Sequence, residues 1–351
     1  MKQRYDFLAI GDTVTDAFIR LMDPAAHIDI DHGRREICMG FADKVPYDDV
    51  YIIPAVGNSA NAAVSAARLG LKSALVSNVG NDYFGQECLD ALKKETVAGK
   101  FVKGNTGANT NYHYILWYED DRTILVKHEE YEYKLPNIGK PRWVYLSSLG
   151  ANSFGYHEEI AEHLETNPEV KLAFQPGTFQ MKFGKDRLAR IYKRSNLFFC
   201  NKEEAQRILE TDEADIKKLL ELMALLGPEI VVITDGVKGA YAYDGSTSLT
   251  TGGGRGLSTS SGQNSRGEFW FMRPYPDPKP PFERTGAGDA FSSTFTAAMA
   301  LGMDMKTAFC WAPINSMSVV QQIGARAGLL TRNQIEKFLS EAPADYKPKQ
   351  I

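Results

Sequence analysis

The chain has 351 residues, 43% of them hydrophobic and 24% charged, which is enough to bury the core of one large α/β domain or of two average ones. The formal net charge is −4, so the chain has no general basic field that would recruit nucleic acid or an anionic membrane. We therefore expect neither of these partners, and an anionic substrate would need a local binding site.

The first predicted element is a short apolar run at residues 5–10, which Gly11 ends and which suits a central parallel strand. No signal-peptide-like segment precedes this run and no apolar stretch approaches transmembrane length, so we expect a cytoplasmic protein. Asp12 and Asp16 follow in a predicted polar loop. Ligands of open α/β sheets bind beyond the carboxyl ends of the strands, so both carboxylates are candidates for substrate contact. Alternatively, they satisfy backbone groups of a turn.

Residues 18–54 are irregular with short alternating pieces, which predicts a small β excursion rather than a helical unit. Gly57, Asn58 and Asn61 then form the polar first turn of an alanine-rich helix, where amide groups would face a hydroxylated ligand. Further along, strand-like runs on either side of an acidic turn, at 111–117 and 123–127, predict a hairpin that forms the second part of the excursion.

Strand and helix patterns alternate through the rest of the chain, which predicts a parallel sheet covered by helices on both faces. The predicted strands lie at residues 73–79, 143–147, 170–174, 196–199, 230–234 and 269–271. The Gly/Ser-rich residues 251–267 predict a mobile surface loop, to which we assign no role. The cysteines are far apart and form no CxxC pair, so we expect reduced thiols at Cys38, Cys88, Cys200 and Cys310.

Small residues followed by one carboxylate stand at 285–289, directly before an apolar run at helical spacing. This order predicts a glycine turn that opens a buried helix, with Asp289 in the first turn. Free backbone N–H groups and the positive end of the helix dipole would converge there on an anion. A carboxylate beside an anion can accept a proton from a hydroxyl that attacks a phosphate. An ordinary helix start, in which Asp289 complements the helix dipole, explains the same pattern.

The sequence has no P-loop, no GxGxxG motif after the first strand, and no HExxH or GxSxG motif. Its polar turns nevertheless follow an order that resembles the ribokinase-like (PfkB) carbohydrate and nucleoside kinases, over nearly the whole chain. The matching motifs are Gly11-Asp12-…-Asp16, Val56-Gly57-Asn58-Ser59-Ala60-Asn61, Asn201-Lys202-Glu203-Glu204, Thr234-Asp235-Gly236-Val237-Lys238-Gly239 and Thr285-Gly286-Ala287-Gly288-Asp289. Each motif alone is weak, but five motifs in the right order make the resemblance specific.

The resemblance implies one ribokinase-like domain over residues 1–351, with a three-layer α/β/α fold and a mostly parallel central sheet. It also implies a small β-sheet lid, formed by the two excursions at about 12–54 and 108–130. In this family the lid closes over the acceptor and excludes water. It often mediates dimerisation as well, so we expect that the lid can join two copies of the chain in a homodimer.

The activity that the resemblance implies is ATP-dependent transfer of the γ-phosphoryl group to a hydroxymethyl group of a sugar, with a nucleoside as the alternative acceptor. Asp289 matches the catalytic base of the family. The backbone N–H groups of Gly286, Ala287 and Gly288 match its anion hole, which stabilises charge on the transferred phosphoryl group.

Further matches complete the implied site. The acceptor site corresponds to Asp16, Gly57, Asn58 and Asn61. The nucleotide site corresponds to Asn201, Thr234, Gly236 and Gly239. Glu204 matches the residue that the family ties to Mg²⁺, here through water, because magnesium keeps several waters when bound. Without the resemblance, Glu204 would be interpreted as an acid in the first turn of a helix.

Several residues depart from the family pattern. Glu283 and Arg284 stand where the family has Asp and Thr. This loop helps to form the monovalent-cation site of the family, so binding of such a cation is left open here. Arg284 either contacts a phosphate or points to solvent. Val56-Gly57-Asn58 replaces the frequent Gly-Gly-Lys, which weakens the resemblance to ribokinase proper. Gln175-Pro176-Gly177 replaces an acidic or Asn-containing turn and looks more like the turn of nucleoside kinases.

Two alternatives to a sugar kinase remain open from the sequence. A nucleoside kinase needs an apolar slot for the base, which the aromatic residues Phe41, Tyr112, Tyr114 and Trp117 could supply, although they could equally pack the lid against a partner subunit. A catalytically silent ligand-binding protein with the kinase fold is the third possibility, because fold does not fix function. The six histidines form no catalytic pattern in the sequence, and we assign them no role.

Overall fold

The structure is a computed structural model that describes residues 4–23, 25–31, 34–119, 121–246, 267–282 and 284–351. In chain order, its strands are β1 (Phe7–Ile10), β2 (Val14–Leu21), β3 (Ala26–Asp31), β4 (Arg34–Met39), β5 (Tyr47–Val56), β6 (Ser73–Gly80), β7 (Ala98–Asn105), β8 (Tyr112–Tyr118), β9 (Asp121–Leu125), β10 (Trp143–Leu146), β11 (Lys171–Phe174), β12 (Leu197–Asn201), β13 (Ile230–Thr234), β14 (Ala240–Asp244), β15 (Glu268–Met272) and β16 (Lys349–Gln350). The helices are α1 (Asn58–Arg68), α2 (Tyr83–Lys94), α3 (Phe154–Thr166), α4 (Thr178–Phe183), α5 (Ala189–Arg194), α6 (Lys202–Leu209), α7 (Ile216–Ala224), α8 (Ala287–Ala300), α9 (Met305–Val319) and α10 (Arg332–Ser340).

The central sheet has ten strands in the order β16-β15-β14-β13-β12-β11-β10-β1-β6-β7. All neighbours from β7 to β13 run parallel, and β14, β15 and β16 continue the sheet antiparallel at one side. Both β1 and β10 are short apolar strands in which every residue is buried, as expected for parallel strands covered on both faces. The mostly parallel α/β sheet predicted from the sequence is confirmed.

Alternate residues of each strand point to opposite faces of the sheet, and two separate cores result. Phe7 and Ala9 of β1 belong to the core that buries residues of α1, α2, α8, α9 and α10. Leu8 and Ile10 belong to the core that buries residues of α3, α5, α6 and α7. The fold is therefore a three-layer α/β/α arrangement, as the resemblance implied.

A separate four-stranded sheet, which we call the small sheet, has the order β5-β2-β8-β9. The predicted hairpin is present in it, because β8 and β9 pair antiparallel. Strands β3 and β4 form a further two-stranded ribbon. One local prediction was wrong: Asp16 lies within β2 and not in a loop. Pairing with β5 on one side and β8 on the other makes this polar segment a central strand, which local polarity does not reveal.

None of the described helices is both long enough and apolar enough to cross a membrane. All four cysteines are unpaired, as predicted. The Gly/Ser-rich stretch predicted as a surface loop lies outside the described residues except for Gly267.

Candidate active site

Two packed helices, α1 and α8, begin side by side. Gly57 caps α1 at a φ of 107°, and a Cβ atom there would lie 2.8 Å from the carbonyl oxygen of Asp12. This close approach holds the start of α1 against the end of β1. Asn58 and Asn61 are one helical turn apart, so both side-chain amides reach Asp289 in the first turn of α8.

Asp289 accepts hydrogen bonds on both carboxylate oxygens. The Asn58 amide donates to Oδ1 at 2.7 Å and the Asn61 amide donates to Oδ2 at 3.0 Å. A third amide, that of Gln175, donates to Oδ1 at 3.3 Å. Burial raises the pKa of the Asp289 carboxyl, and the hydrogen bonds from Asn61, Asn58 and Gln175 act against this rise. The three neutral donors hold the carboxylate in one orientation.

Gln175, which in the sequence is only a departure from the family pattern, is the third side chain that donates to Asp289. It follows β11, at the carboxyl end of a parallel strand. Its side-chain oxygen accepts from the hydroxyl of Ser292 at 2.8 Å and from that of Tyr145, which leaves its amide nitrogen directed at Asp289. The general rule that ligands bind beyond strand ends would have selected Gln175.

The two glycines at the start of α8, Gly286 and Gly288, have different surroundings. Gly286 has a φ of 78°, and a Cβ atom there would lie 2.3 Å from the Cβ atom of Ala325. A Cβ atom on Gly288 would meet no atom within 4 Å. Gly286 is thus fixed by backbone conformation and packing, whereas Gly288 faces open space. Between them, the carbonyl of Ala287 accepts from the hydroxyl of Ser316 at 2.6 Å.

Asn201 and Glu204 form a capping box at the start of α6. The Asn201 side chain accepts from the Glu204 N–H at 2.8 Å, and the Glu204 carboxylate accepts from the Asn201 N–H at 2.9 Å. Burial raises the pKa of the Glu204 carboxyl, the Asn201 N–H lowers it, and the negative charge of Asp289 raises it further. Glu204 therefore has the local role of a helix-start residue, and its carboxyl also interacts with the negative charge of Asp289.

Two cavities meet at this edge of the sheet. One has a volume of about 280 Å³, and among the predicted site residues it is lined by Asn58, Asn201, Glu204, Thr234, Gly286, Gly288 and Asp289. The other has a volume of about 790 Å³ and is lined by the predicted residues Asn201, Thr234, Gly236, Gly239, Ala287 and Gly288. Asn201 and Thr234 end the neighbouring strands β12 and β13 in register, which places both residues at the boundary between the cavities.

The basic residue before the glycine turn also faces the larger cavity. Arg284 is exposed and lines this cavity, so its guanidinium is open both to solvent and to a ligand there. Glu283, the other departure from the family pattern in this stretch, lies outside the described residues.

Asp16 lies apart from the hydrogen-bond network of Asp289. On the small sheet it stands opposite His113 of β8, with 3.4 Å between Asp16 Oδ1 and His113 Nδ1. Tyr112 and Tyr114 are neighbours of His113 along β8 and therefore point to the opposite face of the small sheet. Tyr112 packs against Phe84 of α2, with 4.8 Å between ring centroids.

These positions correct the proposed aromatic slot for a nucleoside base. Tyr112 and Tyr114 face away from Asp16, and Phe41 is fully exposed. Trp117 is buried and packs edge-on against Phe282, with 4.9 Å between ring centroids. The four aromatic residues therefore do not form one slot beside the predicted acceptor residues.

The chain is similar to known proteins over most of its length. The sequence profile of the pfkB family carbohydrate kinases matches residues 54–332, which is most of the chain. The chain belongs to this family. As a pfkB-family member it is a phosphotransferase of the sugar and nucleoside kinase class.

This pfkB-family chain is 25% identical over 296 residues to the ribokinase of Bacillus subtilis (strain 168), and the alignment covers 81% of the chain and 87% of the relative. It is 23% identical over 293 residues to a nucleoside kinase of Methanothermobacter thermautotrophicus, with 81% and 84% covered. The structure of Arabidopsis thaliana ribokinase complexed with ribose and ATP has a TM-score of 0.72 at 17% identity, covering 96% of this chain and 99% of that protein. The ribokinase-like fold is confirmed.

Proposed function

We propose that the protein is an ATP-dependent kinase that transfers the γ-phosphoryl group to a hydroxymethyl group of a sugar. The observation that carries this proposal is the position of Asp289. Its carboxylate is held by Asn58 and Asn61 and lines the smaller cavity, directly beside the Gly286–Gly288 turn. A base beside backbone N–H groups that can receive a phosphate is what transfer to a hydroxyl requires.

Asp289 would accept the proton of the acceptor hydroxyl as the oxygen of that hydroxyl bonds to phosphorus. The N–H groups at Gly286, Ala287 and Gly288 would stabilise negative charge on the transferred group. Glycine at 288 leaves open space over the backbone, so a phosphate can approach it closely. When bound, ATP supplies the γ-phosphoryl group and ADP leaves.

The larger cavity is the proposed nucleotide site, with Asn201, Thr234, Gly236 and Gly239 among its walls. It meets the smaller cavity at the glycine turn, which supports placing phosphates there. Arg284 would add a positive charge to this site. At 790 Å³, the cavity has the size of a typical small-molecule site.

Glu204 is the proposed partner of Mg²⁺, through a water molecule. The carboxylates of Glu204 and Asp289 line the same cavity, and the charge of Asp289 raises the pKa of Glu204, so a divalent cation between them would relieve repulsion. Magnesium, when bound, offsets the negative charge of the phosphates. A monovalent cation stays an open alternative, because Glu283 lies outside the described residues.

The small sheet is the proposed lid, within one kinase domain. Its outer face carries an apolar row across paired positions of all four strands, namely Ile52, Ala17, Tyr114 and Leu125. Ile52, Tyr114 and Leu125 are exposed by 56%, 49% and 51%, an arrangement that suits a second copy of the chain. We propose a homodimer through this face, and Ile52→Glu should then sediment as a monomer. Cytoplasmic location stays a prediction from the sequence.

Turnover is tested by following ADP release from ATP and Mg²⁺ against a panel of free sugars and nucleosides. Asp289→Asn should lower kcat by about 10²- to 10⁴-fold, because the base can no longer accept a proton. Asp304→Asn is the matched control, since Asp304 caps α9 by accepting from the Thr307 N–H at 2.7 Å. Equal kcat for wild type and Asp289→Asn would rule out the assigned base.

A nucleoside kinase is the second candidate, favoured by the similarity to the Methanothermobacter protein. Turnover with nucleosides and none with free sugars would select it. Binding of a sugar or nucleoside by a wild-type protein that never releases ADP would instead favour the catalytically silent interpretation.

A further inference from the structure

Two histidines meet the predicted acceptor residue Asp16 where the small sheet faces the body of the protein. His113 of β8 and Asp16 of β2 are paired in register and lie on the same face of the small sheet. The ring of His128, which follows β9, lies edge-on to that of His113 with 5.5 Å between centroids. His128 also contacts the ring of Phe179 in α4 at 5.6 Å. The cluster therefore joins two segments of the small sheet to a helix of the main domain.

Three polar atoms of this cluster are buried without a hydrogen-bond partner in the described part of the chain. Asp16 Oδ1, His113 Nε2 and His128 Nδ1 have no hydrogen-bond partner among the described residues. The 3.4 Å contact between Asp16 and His113 lacks the geometry of a hydrogen bond. Unpaired buried polar atoms are rare in folded proteins, since each has lost its hydrogen bonds to water and gained none in return. Three such atoms within one contact cluster therefore indicate a surface built to bind a polar ligand.

Buried side-chain atoms without a hydrogen-bond partner also occur near the proposed catalytic base. Asn61 is 3% exposed; its amide nitrogen is bonded to Asp289, while its Oδ1 has no partner among the described residues. Asn111, which is 2% exposed and precedes β8, likewise has an unpaired side-chain nitrogen. These atoms include both donors and acceptors, which is the mixture that several hydroxyl groups of one ligand can satisfy.

Among the described residues, no lysine or arginine pairs with Asp16 or Asp289, so their negative charges disfavour an anionic ligand between them. Asp16 and Asp289 are carboxylates, and the side chains that hydrogen-bond to Asp289 are neutral amides. Burial lowers the pKa of the His128 imidazole, and the neighbouring His113 lowers it further, which favours the neutral imidazole. A neutral imidazole can donate to or accept from a hydroxyl, but it does not offset the charge of a phosphate or a carboxylate.

We propose that His113 and His128 are acceptor-recognition residues which, together with Asp16, restrict the site to uncharged polyhydroxylated acceptors and exclude sugar phosphates and sugar acids. This inference rests on the proposed function, because it assigns the specificity of the same site. It predicts that free sugars are used and that their phosphorylated or acidic counterparts are not.

The experiment compares His113→Leu and His128→Leu with the wild type for the KM of a free sugar and the KM of ATP. Loss of one hydrogen bond to the acceptor should raise the sugar KM about tenfold and leave the KM of ATP unchanged. His113→Gln, which keeps a donor and an acceptor, should restore most of the sugar affinity. His27→Leu, at an exposed histidine of β3 that lies outside the small sheet and lines neither cavity, is the matched control and should change neither KM.

Two outcomes would overturn the inference. One is an unchanged sugar KM in both folded leucine variants. The other is faster wild-type turnover of ribose 5-phosphate, fructose 6-phosphate or gluconate than of ribose or fructose.

Should the wild type release no ADP with any acceptor, the proposed function fails, and the inference is then tested by binding alone. Free ribose or fructose at millimolar concentration should raise the melting temperature of the wild type, and the two leucine variants should lose this shift. A shift that the variants keep, or one produced only by the sugar phosphates, would contradict the role of the histidines.

Discussion

The side-chain amide of Asn58 donates a 2.7 Å hydrogen bond to the carboxylate of Asp289, across the junction of α1 and α8. This bond favours the ionised form of Asp289, whereas burial favours the protonated form. A base acts only when it is ionised, so the rate should fall as the pH drops through the pKa of Asp289. Asn58→Ala removes a donor to the ionised form and therefore raises that pKa. We expect the acidic limb of kcat/KM to move to higher pH, with turnover at neutral pH lowered about tenfold.

The control for this prediction is Asn137→Ala, since Asn137 is an exposed asparagine that does not line either cavity at the site. Its pH profile should match that of the wild type. If Asn58→Ala lowers kcat/KM by the same factor at every pH, then Asn58 acts only by contacting substrate, and the proposed effect on the base is wrong.

The glycine turn allows stability and activity to be separated with two substitutions of the same kind. Gly286→Ala places a side chain at a φ of 78° and 2.3 Å from Ala325, so we expect it to lower the free energy of unfolding by about 2 kcal/mol or more. Gly288→Ala meets no neighbouring atom and adds a good helix former to α8, so the free energy of unfolding should not fall.

Activity should respond differently, because Gly288 lines both cavities. The new methyl group would push a phosphate away from the backbone, and we expect kcat to fall about 10²-fold in a stable protein. Denaturant unfolding and kcat measured on both variants provide the check. Full activity in Gly288→Ala would mean that phosphate does not approach the turn at this residue.

Most of the fold could be predicted from the sequence, because the parallel strands are short apolar runs with clear ends. β1 and β13, for example, are buried runs that end in polar or glycine-containing turns. β7 was missed because its residues alternate irregularly between apolar, basic and glycine positions, which suits the edge of the sheet. β2 was partly missed because its ladder partners β5 and β8 are distant in sequence.

The candidate site likewise contains some residues that could be predicted from the sequence and others that could not. Asp289, Asn58 and Asn61 occupy the first turns of helices, where local pattern and family order both point to them, and the structure brings them together. His113 and His128 could not be selected, since neither belongs to a motif. They become neighbours of Asp16 and Phe179 only through the pairing of the small sheet and its position against α4.

Glu204→Gln separates the structural role of this residue from its proposed role toward magnesium. A glutamine side chain can still accept from the Asn201 N–H, so the capping box and the melting temperature should be preserved. The charge is lost, and we expect the Mg²⁺ concentration needed for half-maximal turnover to rise about tenfold. Glu221→Gln, at an exposed residue of α7 that lines neither cavity, is the control and should leave this concentration unchanged. Equal magnesium requirements in all three proteins would leave Glu204 with the capping role alone.

Asp12 provides a prediction about stability and pH. Its carboxylate accepts from the Tyr133 hydroxyl at 2.7 Å, and burial raises its pKa from 3.8 to about 6, against the opposing effect of the hydrogen bonds from Tyr133 and Gly150. Between these two pH values the folded protein holds a proton that the unfolded chain has lost, so this group stabilises the fold less as the pH rises.

Asp12→Asn cannot titrate. The free energy of unfolding of this variant relative to the wild type should therefore increase from pH 4 to pH 7, measured by urea unfolding. Asn137→Ala, which replaces an exposed side chain and removes no titratable group, should show no such trend. A constant difference between Asp12→Asn and the wild type over this pH range would mean that Asp12 titrates at its ordinary pKa.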